Sequence, residues 1–518
     1  MRAFFAANNW PAARVLPALK LSALKLSALV LSALVLSALV LSALVTSACV
    51  PANGGDRTPA IELSPCGVKW LTTQAECGTY EVWENRSAQT GRRLSLKVAV
   101  VRAVAEQPEP DPVFVLAGGP GQSATQDGGV VVRLLDDVHR DRDIVLLDQR
   151  GTGGSHPLDC NDVSDKSLSS HFLISPKLDD LRACLDHIDA DPVHYVTSVA
   201  ILDLDEVRAA LGYGQINIWA GSYGTRVALA YAKRFGSNVR SMTLDGLAPT
   251  DLRLPLYVER DRDRALEQLF AACTADGDCA KAFGDLRGNY KALLTSLTAE
   301  PLEIRVSDPQ SGEPTSFTLS EEAFTAKLHG ILYDSTMTAL LPFTLKQAAR
   351  GRFEPFVAQS LTLSQWSTES LAEGLFLSVA CAEDVDRISD LDVAAVSESQ
   401  PHTAHAVQTM REACAVWPHA TVPEEYYTPN VTGIPTLLLS GDLDPITPPW
   451  WGEQVATHLS NQRHVVVPGI GHGTTAHGCV PELIAEFFAT AKPAALDTQC
   501  VSAMQRPPFF IGFAGPKP

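Results

Sequence analysis

Three loops far apart in the chain each carry a residue that nucleophilic catalysis requires. Ser222 stands in Ala220-Gly221-Ser222-Tyr223-Gly224, Asp442 and Asp444 in Gly441-Asp442-Leu443-Asp444-Pro445, and His472 in Pro468-Gly469-Ile470-Gly471-His472-Gly473. A serine hydroxyl is a weak nucleophile until an imidazole takes its proton. The imidazole in turn needs a carboxylate to hold its tautomer and stabilise the imidazolium. Each loop taken singly has a plain structural reading: small-Gly-Ser-x-Gly strings occur as ordinary turns, Asp-Pro is common in turns and Gly-His in loops. A serine, a carboxylate and a histidine in that chain order point together to acyl transfer.

The flanking segments say how these residues are positioned. Ile216-Asn217-Ile218-Trp219 reads as a strand and residues 225–233 as a helix, so Ser222 occupies a nucleophile elbow that lifts the hydroxyl clear of a sheet. The tight turn asks for small residues two before and two after the serine. Gly224 meets that demand and Ala220 departs from it by a methyl. The aspartate loop follows the apolar run Thr436-Leu-Leu-Leu-Ser440, and the histidine loop follows His464-Val-Val-Val467. Ala117-Gly118-Gly119-Pro120-Gly121 follows a further apolar run, 113–116, and its glycines let a backbone N–H approach a substrate carbonyl. The amides of Gly119 and Tyr223 are the expected oxyanion donors. A phosphate loop is a poor alternative, because the string lacks a Walker lysine and the Gly-x-Gly-x-x-Gly spacing.

Short apolar segments at 113–116, 144–147, 216–219 and 239–244 alternate with helix-like stretches, which implies a mostly parallel sheet covered by helices on both faces. Ser, Asp and His in that order at strand ends predict an α/β-hydrolase fold. The alternation lapses after Leu247, and residues 250–432 read mainly as helices with loops. The expected organisation is an α/β core over 61–249 and 433–518, interrupted by a helical lid over 250–432 that would close the ligand crevice.

Gly118-Gly119-Pro120-Gly121, Asp148-Gln149-Arg150-Gly151-Thr152-Gly153, Gly221-Ser222-Tyr223-Gly224-Thr225 and the Asp444 and His472 loops together resemble the proline iminopeptidase and tripeptidyl aminopeptidase family of serine peptidases. The likeness reaches the C-terminus, where Cys479-Val480, Asp497-Thr-Gln-Cys500 and Pro507-Pro-Phe-Phe510 resemble the secreted tripeptidyl aminopeptidase branch. Ala117 stands where iminopeptidases usually carry histidine, and with Ala220 this argues against assuming narrow proline specificity. The resemblance implies Ser222 as nucleophile and His472 as base and acid. It implies Asp444 as orienter rather than Asp442, because the family's Asp-Pro-x-Thr-Pro places the carboxylate directly before the proline. Asp148 and Arg150 are expected to be structural, bracing the oxyanion loop. An aminopeptidase must also hold the substrate's free amine. Glu383, in Cys381-Ala382-Glu383-Asp384, is the candidate, since a disulfide there would fix it near the lid's return to the core. The chemistry calls for no metal and no cofactor.

The N-terminus and the cysteines bear on location. Leu-Ser-Ala-Leu-Lys/Val recurs five times from Leu21 to Val45, followed by Thr46-Ser47-Ala48-Cys49. Basic residues before an apolar run that closes in small residues follow the plan of a secretory signal. The run 26–48 exceeds the usual apolar length, so a transmembrane anchor competes. Cys49 after Ser47-Ala48 resembles a bacterial lipoprotein cleavage site with Cys49 lipidated, although Thr46 departs from the usual aliphatic residue. Residues 1–48 are thus expected as leader and 49–60 as tether. The ten remaining cysteines fall into neighbours, giving the expected disulfides Cys66–Cys77, Cys160–Cys184, Cys273–Cys279, Cys381–Cys414 and Cys479–Cys500; free core thiols are the alternative.

The formal net charge is −18, and removing the leader's Arg2, Arg14, Lys20 and Lys25 takes it to −22. That sign argues against nucleic acid as a partner. Neither Cys-x-x-Cys nor His-Glu-x-x-His spacing is present, and His402 and His405 form a pair without further ligands. The expected partner is a peptide substrate, with membrane contact only through a lipid on Cys49. The expected location is the cell envelope, periplasm or exterior. The leading expectation is therefore an exported serine aminopeptidase, with a carboxylesterase on the same scaffold and a non-catalytic binding lipoprotein as alternatives.

Overall fold

The computed structural model of the protein describes residues 60–516, apart from 161–166, 173–176, 309–310, 369–370 and 430–431. The expected leader, the tether and Cys49 lie outside the described residues. Eleven strands follow in chain order: β1 (Ser64–Cys66), β2 (Ala75–Trp83), β3 (Arg93–Val101), β4 (Val113–Leu116), β5 (Ile144–Leu147), β6 (Ile216–Gly221), β7 (Val239–Asp245), β8 (Leu302–Ser307), β9 (Pro314–Leu319), β10 (Thr436–Gly441) and β11 (Gln462–Val467). Nine of them form one sheet in the order β1-β2-β3-β5-β4-β6-β7-β10-β11. The pairs from β5 through β4, β6, β7 and β10 to β11 are parallel, while β1, β2 and β3 run antiparallel at one edge.

Side-chain alternation explains why both faces are covered. In β4, Phe114 and Leu116 enter one core with the helices Thr197–Ala210 and Tyr223–Phe235, while Val113 and Val115 enter another with the helices Ala124–Leu134 and Val480–Thr490. β5 and β10 split their side chains between the same two cores. A strand buried on both faces must be apolar throughout, which is why these segments read as unbroken hydrophobic runs. The chain moves from β4 to β5 on one side and to β6 on the other. The loops that leave β4 and β6 therefore flank a crevice at the C-terminal edge of the sheet, where ligands bind in folds of this kind.

The segment between β7 and β10 is largely helical, but it also contains the hairpin β8–β9. The sequence reads there mainly as helices with loops, and the hairpin is an addition to that expectation. The signal was present: Leu302-Glu-Ile-Arg-Val-Ser307 alternates at a period of two, and its inward residues Ile304 and Val306 are buried. The two halves of the insertion pack differently. Its first half builds a core of its own around Leu269, Phe324 and Phe356, joined by Phe172, whose ring stacks on Phe317 at 4.2 Å. Residues Ala372, Leu375, Val379, Tyr426 and Tyr427 of the second half belong to the core of the main sheet. Five disulfides join the cysteine neighbours 66/77, 160/184, 273/279, 381/414 and 479/500.

Candidate active site

The conformation of Ser222 is imposed by its chain neighbours. β6 ends at Gly221, the helix Tyr223–Phe235 begins one residue after Ser222, and the serine has φ 54° and ψ −124°. Few residues other than glycine adopt that region, and it marks a backbone held under strain by its surroundings. The Ser222 N–H donates to the Asp245 carbonyl at 2.8 Å, and the Ser222 carbonyl accepts from the Thr225 N–H at 2.9 Å and the Thr225 hydroxyl at 2.6 Å. Gly224 is required because a Cβ there would lie 2.3 Å from the Leu116 carbonyl oxygen. The methyl of Ala220 is accommodated inside the core of the main sheet, fully buried. On the β4 side, a Cβ on Gly118 would lie 3.1 Å from Ser222 Cβ, so the glycine loop rests directly against the serine. Gly119 turns that loop with φ 104°. The Tyr223 amide leads its helix and so has no intrahelical acceptor, which leaves it available at the positive end of the helix dipole.

The carboxylate and the histidine meet from β10 and β11. His472 Nδ1 lies 2.8 Å from Asp444 Oδ2. Asp444 Oδ1 accepts from the N–H groups of Ile446 (2.9 Å) and Thr447 (2.8 Å), and Oδ2 accepts from the Thr447 hydroxyl (2.8 Å). Burial pushes the Asp444 carboxyl up, but His472 and these donors bring it below its ordinary value. Asp442 is engaged elsewhere: it accepts from the Gly469 N–H at 2.7 Å, and burial raises its pKa. The imidazole reaches back across β10 to the end of β7, where a Cβ on Gly246 would lie 2.9 Å from Cε1. Burial disfavours the imidazolium, yet the Asp444 carboxylate, assisted by Asp245, carries the His472 pKa above its ordinary value.

Residues 111–276 match the family described as "alpha/beta hydrolase fold", and residues 400–500 match the family described as "TAP-like protein". The chain is 25% identical over 477 residues to serine protease Hip1 of Mycobacterium tuberculosis, covering 83% of this chain and 88% of that one. It is 24% identical over 487 residues to tripeptidyl aminopeptidase of Streptomyces lividans, covering 85% of this chain and 86% of that one. Over 140 residues it is 29% identical to proline iminopeptidase of Neisseria gonorrhoeae, 27% of this chain and 34% of that one. The chain is a serine hydrolase of α/β-hydrolase fold, similar to serine peptidases that share it.

In this α/β-hydrolase, a further carboxylate that the sequence reading missed secures the histidine loop. Asp245, fully buried at the end of β7, accepts from the N–H groups of Thr474 (2.7 Å) and Thr475 (2.8 Å) and from the hydroxyls of Thr474 (3.0 Å) and Thr475 (2.7 Å). The insertion holds the same loop from the other side. The Tyr333 carbonyl accepts from the His472 N–H at 2.9 Å, the two rings meet edge-on at 5.0 Å, and Ser335 Oγ accepts from the Gly471 N–H at 2.8 Å. Asp245 had a weak signal, a carboxylate closing a strand directly before a glycine; Tyr333 and Ser335 had none.

Two expectations need correction. Asp148 does brace the oxyanion loop: its carboxylate accepts from the Ser123 and Thr125 hydroxyls, the Thr125 N–H and the Gly154 N–H, all within 2.9 Å, which ties the helix after that loop to the turn at 150–154. Arg150 does not. Its guanidinium grips Asp203 through Nε (2.6 Å) and Nη2 (2.9 Å) and donates to the carbonyls of Glu84, His194 and Trp83, away from the glycine loop. Glu383 is not presented to a ligand either. It is completely buried, and both carboxylate oxygens are taken by Thr197 and Tyr426. The histidine pair is absorbed by acids, His402 facing Glu321 at 3.1 Å and His405 facing Glu322 at 3.6 Å.

Proposed function

We propose that this hydrolase is an exported aminopeptidase in which Ser222, His472 and Asp444 form the catalytic triad. The observation that carries the reading is the pairing of His472 Nδ1 with a fully buried Asp444 at 2.8 Å, with the ring's Nδ1–Cε1 edge against Gly246, directly after the residue whose carbonyl accepts from the Ser222 N–H. In this mechanism His472 takes the Ser222 proton as the hydroxyl attacks the carbonyl carbon, and Asp444 holds the Nδ1–H tautomer. The amides of Gly119 and Tyr223 receive the developing oxyanion. His472 then gives the proton to the leaving amine, and water hydrolyses the acyl-enzyme by the same route in reverse.

The names of the relatives, tripeptidyl aminopeptidase and proline iminopeptidase, support action near free N-termini. The contacts of the insertion with the crevice loops support a lid: Tyr333 and Ser335 touch the His472 loop, and the Ala372 N–H donates to the Gly121 carbonyl at 2.9 Å. Five disulfides support an oxidising compartment. A lipid on Cys49 remains part of the proposal, as does the absence of nucleic-acid partners. The test compares chromogenic Ala-Ala-Ala-, Ala- and Pro-amides, each with free and acetylated N-termini, against p-nitrophenyl butyrate, with Ser222→Ala as control. Amide cleavage that requires the free amine supports the aminopeptidase. Ester turnover without amide turnover replaces it with a carboxylesterase.

A further inference from the structure

The mechanism above leaves unused a buried charged cluster directly beneath the elbow. Arg226, Glu383 and Asp384 are each at most 2% exposed. Arg226 sits in the first turn of the helix that follows Ser222, and its Nη1 is 3.5 Å from Glu383 Oε2 while its Nη2 is 3.0 Å from Asp384 Oδ1. Glu383 Oε1 accepts from the Thr197 N–H at 2.8 Å, and Oε2 accepts from the Thr197 hydroxyl at 3.0 Å and the Tyr426 hydroxyl at 2.7 Å. Thr197 Oγ1 pairs with the Tyr223 hydroxyl at 2.7 Å. Glu383 therefore caps the helix Thr197–Ala210 from a distant part of the chain, in place of Val196, which has no capping side chain. The same side chain reaches, through Thr197, the residue whose amide is the expected oxyanion donor.

A buried cluster of this kind is a poor way to gain stability, because desolvating the charges offsets most of their attraction. Its backbone is also unusual. Ala380–Asp384 forms a π turn, a widening that recurs at functional sites, and the Cys381–Cys414 disulfide pins it. We propose that Glu383, Asp384 and Arg226 are positioning residues that lock the elbow helix to the arm of the insertion and so set where Ser222 Oγ and the Tyr223 amide stand. This rests on the reading of Ser222 as nucleophile. It gives Glu383 a role in orienting the nucleophile in place of binding the substrate amine.

The lock is sensitive to protonation. Burial pushes the Asp384 carboxyl up to about 6 against the pull of Arg226. The charged and titratable groups around it are Arg226 and Tyr223 on the elbow helix, Glu383 and Arg387 on its own segment, and Tyr426 and Tyr427 opposite. Above that value Asp384 is ionised and holds Arg226; below it the pairing is lost.

The experiment measures the rate at which a fluorophosphonate acylates Ser222 across the acid and neutral range, a readout independent of any peptide substrate. The wild-type rate is expected to fall on the acid side with two protons, one on His472 and one on Asp384. Asp384→Asn is expected to lose the second proton and to acylate about 10²-fold more slowly. Glu383→Gln slows acylation similarly while KM for the best substrate holds, and Arg226→Lys recovers part of what Arg226→Met loses. Near-UV circular dichroism separates slow variants from unfolded ones, and the wild-type profile stands without any variant. A single-proton profile with wild-type rates in folded Asp384→Asn and Glu383→Gln overturns the proposal. Losses confined to KM for free-amine substrates overturn it too and return Glu383 to the substrate amine. A wild-type Ser222 that takes no label removes the nucleophile reading itself, a different failure from a labelled enzyme whose profile ignores Asp384.

Discussion

The two sides of the active site are held by different means. Ser222 is fixed by its own neighbourhood: a strand before it, a helix after it, glycines where backbones touch, and hydrogen bonds of its own amide and carbonyl to Asp245 and Thr225. His472 sits in a loop fixed almost entirely from afar, by the carboxylates of Asp245 and Asp444 and by Tyr333 and Ser335 of the insertion. The turn of the nucleophile is thus built by the sheet and the elbow helix, with the insertion reaching it only through Arg226, whereas the loop of the base is gripped directly by the insertion. Damage at Tyr333 or Ser335 should therefore reach catalysis through the histidine side, and damage at Glu383 or Asp384 through the serine side.

The contrast can be broken or sharpened by substitution, beginning with the largest effect. Ser222→Ala should abolish fluorophosphonate labelling and reduce amide hydrolysis by about 10⁶-fold without loss of the folded state, measured by turnover and circular dichroism. Asp444→Asn should cost about 10⁴-fold in kcat by losing control of the imidazole tautomer. It should also shift the pH dependence in a defined direction. His472 works as a base only when neutral, so the rate rises with pH through a His472 pKa that lies above the ordinary 6.5. Removing the Asp444 charge should move that limb toward acid.

Asp245→Asn presents an amide to N–H donors that the carboxylate accepted. It should cost about 1–3 kcal/mol of stability in urea unfolding, and about 10²-fold in kcat if the loop shifts by an ångström. Ser335→Ala should lower kcat by less than about tenfold, the worth of one neutral hydrogen bond, and leave the Tm nearly unchanged. A Ser335→Ala enzyme with full activity at every pH would break the claim that the insertion holds the base.

The same contrast explains what was legible in the sequence. The elbow, the strands that carry it and the chain order of serine, aspartate and histidine could be read because local patterns encode them: period-two or fully apolar strands, glycines at contacts, Asp-Pro at a turn. Choosing Asp444 over Asp442 depended on a family pattern, and the geometry brings Asp444 to the imidazole. Tyr333 and Ser335 were illegible and Asp245 only faintly marked, because their importance lies in partners at a distance in the chain. Glu383 was read as the holder of the substrate amine, and the structure buries it instead: an acid in a short motif says nothing about whether it faces solvent, a ligand or Arg226. The β8–β9 hairpin was missed because its alternation lies inside a region dominated by helices.

One further consequence follows from the cysteines. Every disulfide joins a cysteine to its immediate successor in the described chain, across separations of 6 to 33 residues. A polypeptide threaded through a membrane amino end first exposes its thiols one after another. Under the proposed export, with Cys49 lipidated as proposed, each second thiol would arrive while its native mate is the one still unpaired. Such a chain can be oxidised correctly by an enzyme that merely joins successive thiols, with no reshuffling step, so its cross-linking order is written into its order of emergence.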